Sequence, residues 1–168
     1  QKLSYNEIVE RTLDLLKRSV KLRLRSDVPI AFCLSGGIDS NALISISKKC
    51  FEYDVHGFSI INNDERYEEL EMINHSEKNL ELRVTKINLT KTKFLQNLTK
   101  QILYHDSPIF TITYYAQWCL MKKISEEGYK VSISGTGADE IFSGYYDHHN
   151  AYLHFMKNNY NEQYNENL

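Results

Sequence analysis

The sequence lacks long hydrophobic runs and a strong excess of charge of either sign. No apolar stretch in its 168 residues approaches the ~20 residues that a membrane-spanning helix requires. The formal net charge is −2, which argues against a surface made for nucleic acid or anionic lipid. The chain starts with polar Gln1 and Lys2 and shows no signal peptide. We therefore expect about one domain, cytoplasmic, with neither nucleic acid nor membrane as a partner.

Cysteine is also scarce, and its pattern disfavours several kinds of site. Cys33, Cys50 and Cys119 are odd in number, widely spaced and set among apolar residues. None has CxxC spacing or an obvious base beside it, so a metal or catalytic role is disfavoured. We expect reduced thiols that pack in the core.

Strand-like and helix-like segments alternate along the chain. Short apolar runs predict strands at about residues 29–34, 55–61, 82–87 and 130–134. Apolar residues at helical spacing lie between them. A capping box at Ser4 and Glu7 starts an amphipathic first helix, and we expect its apolar stripe of Val9, Leu13, Leu16 and Val20 to pack on the body of the domain. This alternation predicts an α/β fold with a doubly wound, mostly parallel sheet of about four to five strands and helices on both faces.

A glycine-containing turn follows the first predicted strand and leads into a helix. Its residues are Leu34, Ser35, Gly36, Gly37, Ile38, Asp39 and Ser40. Strand, glycine pair and helix N-terminus together form an anion-binding geometry, to which the serines add hydroxyl donors. A carboxylate beside bound phosphate repels it unless a divalent cation lies between them, so we interpret Asp39 as a magnesium ligand.

This first motif alone leaves a plainer alternative open. A tight turn in which Asp39 or Ser40 caps a helix would give the same pattern. No Lys follows the glycines, so the motif is not a Walker A loop.

Three other groups of polar residues favour structural roles. His56 alternates with apolar neighbours on a strand, which is typical of a hydrogen-bonded structural residue. Adjacent His148 and His149 point in different directions on a helix, so an exposed pair is expected. A run of acidic residues favours a solvent-facing helix over a metal cluster: Glu65, Glu68, Glu69 and Glu71.

A second glycine turn follows the fourth predicted strand. It contains Ser134, Gly135, Thr136, Gly137, Ala138, Asp139, Glu140, Ile141, Phe142, Ser143, Gly144 and Tyr145. The spacing of Gly135 and Gly137 resembles a dinucleotide-binding fingerprint. Because Glu140 stands where that fingerprint has its third glycine, we reject a dinucleotide-binding site. In a parallel sheet both turns lie at the carboxyl edge, so we expect Asp39 and Asp139 to share one magnesium ion.

The two motifs together resemble those of the synthetase domain of glutamine-hydrolysing asparagine synthetases, a branch of the ATP pyrophosphatase (PP-loop) superfamily. Residues 27–29 and 58–60 match that domain as well, and the resemblance spans about residues 8–156. The first motif alone is shared by GMP and NAD synthetases, argininosuccinate synthetase and tRNA-modifying enzymes. The resemblance implies an adenine nucleotide alpha-hydrolase-like fold.

By this resemblance, ATP adenylates a carboxylate with release of pyrophosphate, and ammonia then displaces AMP to give an amide, as in asparagine biosynthesis. Asp39 and Asp139 would hold magnesium. Pyrophosphate would be held by Ser35, Gly36, Gly37 and Ser40. The adenosine would lie between Leu34, Ile60, Ser134 and Gly135.

The chain also departs from that family pattern. The family usually has Glu, linked to formation of the adenylate, where this chain has Thr136, and Thr cannot act as a carboxylate base. The residues after Tyr145 differ, and an arginine that some members carry is missing from 105–118. The acid is therefore open between aspartate and a uronic acid of surface polysaccharides, and a catalytically degenerate ATP-binding module is a further alternative.

The resemblance also sets the expected domain organisation. We expect a truncated ATP-pyrophosphatase domain at residues 1–156 and a polar, disordered tail at 157–168. Ammonia would come from an N-terminal glutaminase domain that this chain lacks, and the fragment alone would be inactive as a ligase. Whether the chain forms a homodimer stays open.

Overall fold

The computed structural model describes residues 3–61, 69–89 and 93–160. The chain divides into two compact units, Gln1–Ser134 (unit 1) and Gly135–Leu168 (unit 2). The described elements of unit 1 are α1 (Tyr5–Arg23), β1 (Ile30–Cys33), α2 (Ile38–Phe51), β2 (His56–Ile61), α3 (Leu70–Asn79), β3 (Arg83–Asn88), α4 (Phe94–His105), α5 (Ile112–Glu126) and β4 (Val131–Ile133). Those of unit 2 are α6 (Ala138–Phe142) and α7 (Tyr146–Asn159).

The strands of unit 1 form one four-stranded sheet in the order β3-β2-β1-β4. All three pairings are parallel. Phe32 is paired with Gly57 of β2 and with Ile133 of β4. The predicted α/β fold with a parallel sheet is confirmed.

Apolar side chains cover both faces of this sheet, because successive residues of a strand point to opposite sides. On one face, Phe32 packs in a cluster with Ile44 of α2 and Ile73 of α3. On the other face, Ala31 and neighbouring Phe58 pack against α5 through Leu120 and Ile124. Helices on both faces are the doubly wound arrangement that the alternating pattern predicts.

The first helix confirms its predicted start but not its predicted packing. Ser4 Oγ accepts a hydrogen bond from the Glu7 amide at 3.3 Å, and Ser4 N–H donates to Glu7 Oε2 at 2.8 Å. Of the predicted apolar stripe, Val20 is buried, whereas Val9 and Leu13 are 47% and 41% exposed. The spacing of the apolar residues therefore predicted the helix correctly, but less of its apolar stripe is buried within this chain than the spacing predicted.

Two expectations about the rest of the chain need comment. Among the described helices none is both long and apolar enough to cross a membrane. Helix α7 runs to Asn159 and so includes the first residues of the tail expected at 157–168, while residues 161–168 lie outside the described part.

Candidate functional site

The segment after β1 is held to the sheet before it turns into α2. The buried Leu34 donates its amide to Phe58 O at 2.9 Å. Its own carbonyl accepts a hydrogen bond from the hydroxyl of Ser59, a residue with no exposed surface. These two bonds fix the direction in which the chain leaves the sheet, because both join it to the neighbouring strand β2.

Two serine hydroxyls then close the turn on itself. The Ser35 and Ser40 Oγ atoms lie 3.0 Å apart. Ser40 Oγ also accepts from the Ser35 amide at 3.2 Å, and Ser35 Oγ accepts from the Gly37 amide at 3.2 Å. We call residues 34–40 the glycine loop. Its own serine side chains therefore bond across the turn, next to the first turn of α2.

Asn41 connects the glycine loop to α3. Its Nδ2 donates to Ser35 O at 2.9 Å and to Gly37 O at 2.8 Å. Its Oδ1 accepts from the hydroxyl of Ser76 at 2.6 Å, and Ser76 is 9% exposed. The carbonyls of Ser35 and Gly37 are therefore turned towards Asn41 of α2.

Glu69 also reaches the glycine loop, and sequence reasoning missed this contact. Its Oε2 accepts a hydrogen bond from the Gly36 amide at 2.7 Å. A Cβ at Gly36 would lie 3.0 Å from Glu69 Cβ and 3.3 Å from Met72 Cβ, so the absence of a side chain admits the start of α3. Glu69 and Glu71 are exposed as expected, but the Glu69 carboxylate is engaged by the loop; Glu65 and Glu68 lie outside the described residues.

The sheet order places the ends of β1 and β4 at a topological switch point. The chain moves from β1 outwards to β2 and β3 and then returns to β4 on the other side of β1. In open α/β sheets a ligand binds at the carboxyl ends of the strands where this reversal occurs. Leu34 follows β1 and Ser134 follows β4, and Ile60 lies near the carboxyl end of β2, partly buried against the α5 face.

The second glycine turn lies in unit 2 from Gly135 onwards, after Ser134 ends unit 1. Ala138 N–H donates to Gly135 O at 3.2 Å, and Gly137 precedes α6 with a φ of 98°, a conformation that favours glycine. Asp139 lies in the first turn of α6. A Cβ at Gly144 would lie 1.7 Å from Asp139 Oδ1, so this glycine makes room for the carboxylate.

Glu140 and Tyr145 form a pair in the same turn. The Tyr145 hydroxyl donates to Glu140 Oε1 at 2.7 Å. This bond lowers the pKa of Glu140 and raises the pKa of Tyr145. Glu140 is thereby kept ionised and directed towards Tyr145, while Thr136 is exposed.

Comparison with known proteins places this chain in a family. The family model described as asparagine synthase matches residues 11–167. The chain belongs to the asparagine synthase family. It is 27% identical over 140 residues to asparagine synthetase [glutamine-hydrolyzing] 1 of Bacillus subtilis (strain 168), covering 83% of this chain and 22% of that protein.

A second relative gives the same picture. The chain is 29% identical over 154 residues to asparagine synthetase B [glutamine-hydrolyzing] of Escherichia coli (strain K12), covering 81% of this chain and 27% of that protein. It thus spans about a quarter of the length of these relatives. Among solved structures, the NH3-dependent NAD synthetase of Campylobacter jejuni aligns with a TM-score of 0.45 and 19% identity over 79% of this chain and 56% of that one.

Asp39 is the residue of the glycine loop that we expect to hold magnesium. It is half-buried in the first turn of α2, where the first amides have no acceptor within the helix. No three His, Cys, Asp or Glu side chains come together as a metal-binding group among the described residues. Magnesium typically uses one or two carboxylates together with substrate phosphate oxygens, so Asp39 fits an ion that arrives with a nucleotide.

His56, His148 and His149 are the three histidines for which we expect structural roles. His56 is buried, with Nδ1 2.9 Å from the Tyr129 hydroxyl and Nε2 2.8 Å from Thr85 Oγ1, which confirms the structural interpretation. Burial lowers its pKa, and the positive charge of Arg83 adds to this effect. His148 and His149 are both exposed, as expected.

The cysteines require one correction. All three are free thiols. Burial raises the pKa of the half-buried Cys33 to about 11, which makes it a poor nucleophile at neutral pH. Cys50, however, is exposed at the end of α2, so the core placement predicted for it is wrong. Cys50 is spaced four and three residues from the buried Ile46 and Ser47, but it lies in the last turn of α2.

Proposed function

We propose that this chain is the nucleotide-binding part of an ATP-dependent ligase that converts a carboxylate into an amide. The observation that carries the proposal is the switch point of the sheet. The switch point lies between the neighbouring strands β1 and β4. In this chain of the asparagine synthase family, each of these two strands is followed by a glycine turn and an aspartate. A nucleotide is the ligand that this arrangement suits best.

The proposed reaction has two steps. A carboxylate oxygen of the substrate attacks the α-phosphorus of ATP, the bond to the β-phosphate oxygen breaks, and pyrophosphate leaves. The nitrogen of ammonia then attacks the acyl carbon, the carbon–oxygen bond to AMP breaks, and a proton is released to solvent. Both steps depend mainly on positioning and on neutralisation of the phosphate charge.

The residues of each turn have roles in this proposal. The glycine loop, through Ser35, Gly36, Gly37 and Ser40, holds the departing pyrophosphate. Asp39 and Asp139 would hold Mg²⁺, which neutralises charge on the phosphates. The slot for adenosine would be formed by Leu34, Ile60, Ser134 and Gly135, which are small or apolar.

The identity of the acid is tied to Thr136. Aspartate is the leading substrate, and a uronic acid of surface polysaccharides is the alternative. Because Thr136 brings no carboxylate to a position where the family usually has one, it also favours a second candidate, an ATP-binding module without chemistry. Ammonia would be supplied by a glutaminase domain outside this chain.

The test measures pyrophosphate release by the full-length protein with Mg-ATP, ammonium and either aspartate or a uronic acid. We expect release that depends on one of the acids and on Asp39, so that Asp39→Asn lowers it at least 100-fold. Asp54→Asn is the matched control, since Asp54 is exposed and precedes β2 at the amino edge of the sheet. ATP binding without acid-dependent release would favour the non-catalytic candidate, and absence of ATP binding would refute both.

A further inference from the structure

The carboxylate of Glu69 occupies the donor to which a phosphate oxygen would bind. The Gly36 amide is one of the groups assigned to pyrophosphate, and Glu69 Oε2 lies 2.7 Å from its nitrogen. A carboxylate and a phosphate oxygen are both anionic acceptors, so the two cannot use this amide at the same time. The site therefore already contains an acceptor that belongs to the protein.

The fold brings Glu69 next to the glycine loop. Glu69 immediately precedes α3, which is anchored to the core by the buried Ile73. A Cβ at Gly36 would approach both Glu69 Cβ and Met72 Cβ within 3.3 Å, so the loop and the start of α3 touch. Ser76 of the same helix is bonded to Asn41, which holds the loop at a second point.

We propose that Glu69 is an internal competitor for the phosphate-binding amide of Gly36 and thereby sets the nucleotide affinity of the glycine loop. This inference rests on the proposed function, because it assumes that the loop binds phosphate. A di- or triphosphate displaces the carboxylate, which is exposed and can rotate into water. Since Asp39 adds a second negative charge in the first turn of α2, the ligand must bring a cation with it.

The size of the effect on nucleotide affinity depends on the fraction of molecules in which the Gly36 amide is free to bind phosphate. The apparent dissociation constant equals the intrinsic one divided by that fraction. If an exposed, charge-assisted hydrogen bond keeps Glu69 on the amide in about 70–90% of molecules, removal of the carboxylate tightens binding by about three- to tenfold. Glu69→Gln, whose neutral amide oxygen is a weaker acceptor, should give an intermediate gain.

The experiment measures binding of Mg-pyrophosphate to this chain by titration calorimetry, for the wild type, Glu69→Ala, Glu69→Gln and Glu71→Gln. Glu71 is the matched control, because it is exposed, lies two residues after Glu69 in the first turn of α3 and carries the same charge. We expect affinity to rise in the order wild type, Glu69→Gln, Glu69→Ala, with Glu71→Gln within about twofold of the wild type. Circular dichroism of each variant checks that it is folded.

The contact itself has an independent readout in the amide resonance of Gly36. The chain has only seven glycines, whose amide signals are readily separated. Loss of the charged acceptor should move the Gly36 proton upfield in Glu69→Ala and leave it unchanged in Glu71→Gln.

The outcomes separate this inference from the proposed function. Affinity that is unchanged or weaker in Glu69→Ala overturns the inference alone, and a weaker affinity would mean that Glu69 acts as a ligand of the bound magnesium. An unchanged Gly36 resonance would also overturn it. If no variant binds Mg-pyrophosphate or Mg-ATP, the loop is not a phosphate site and the proposed function fails as well.

Discussion

Replacement of Asn41 tests whether side chains outside the glycine pair hold the loop in shape. Its amide group joins two loop carbonyls, of Ser35 and Gly37, to the hydroxyl of Ser76 on α3 through three hydrogen bonds of 2.6–2.9 Å. Asn41→Ala removes all three. It also leaves the Ser76 hydroxyl, in a residue 9% exposed, without this acceptor.

The expected loss can be worked from these bonds. Each contributes about 0.5–1.5 kcal/mol to the free energy of unfolding, which gives about 3 kcal/mol for the three. Water can replace the bond to the exposed Gly37 carbonyl, and Ala favours helix by about 0.5 kcal/mol over Asn. We therefore expect Asn41→Ala to lower the free energy of unfolding by about 2 kcal/mol, and Ser76→Ala to lower it by about 1 kcal/mol.

Urea unfolding followed by circular dichroism measures both losses, and an unchanged dependence on urea shows that the same surface is exposed. The double variant should lose less than the sum of the single losses, because the two residues share one bond. Asn79→Ala serves as the control, since among the described residues its side chain bonds His75 on the exposed side of α3 and should change stability by less than about 0.5 kcal/mol. A loss below about 0.5 kcal/mol for Asn41→Ala would refute the view that this amide holds the loop.

Three further perturbations follow from the structure. The depressed pKa of His56 means that the native state binds fewer protons than the unfolded chain, whose value is near 6.5. The free energy of unfolding should therefore be constant above pH 6.5 and decrease as the pH drops below it. The urea midpoint of His56→Gln should decrease less over this pH range than that of the wild type. Gly36→Ala forces a Cβ against Glu69 and should cost about 1–3 kcal/mol in urea unfolding, whereas a neutral result would contradict the close approach. Gly144→Ala should displace Asp139 and lower pyrophosphate release by full-length protein as strongly as Asp139→Asn does; unchanged release would show that Asp139 needs no such room.

The fold was predictable from the sequence because local patterns determine most of it. A short apolar run predicted β1, and the glycine pair after it marked the point where the strand turns into a helix. The parallel order followed from alternation of strands and helices, since such crossovers place successive strands in one sheet. The role of His56 was predictable too, because a polar residue buried on a strand needs partners, and Tyr129 and Thr85 provide them.

The contacts that shape the candidate site were not predictable in the same way. Glu69 and Gly36 are 33 positions apart, and Ser76 and Asn41 are 35 apart. Both pairs depend on how α3 packs beside α2, and periodicity gives the buried face of a helix but not its offset along a neighbour. A run of acidic residues therefore indicated a solvated helix correctly and gave no sign that one of its carboxylates reaches the glycine loop.

The glycine pair shows why a motif alone does not say what each residue is for. Neither Gly36 nor Gly37 adopts a positive φ, whereas Gly137 does. Gly36 is needed where Glu69, just before α3, approaches within 3.0 Å of the position of its missing Cβ, while a Cβ at Gly37 would meet a single neighbouring atom, Ser35 Oγ, at 3.2 Å. Replacement of Gly37 by Ala should therefore be the milder change in stability. If the amides of both glycines bind phosphate, Gly36→Ala and Gly37→Ala should lose Mg-pyrophosphate affinity equally, although they differ in stability. Comparing the loss of affinity with the loss of stability in each variant therefore separates ligand binding from packing.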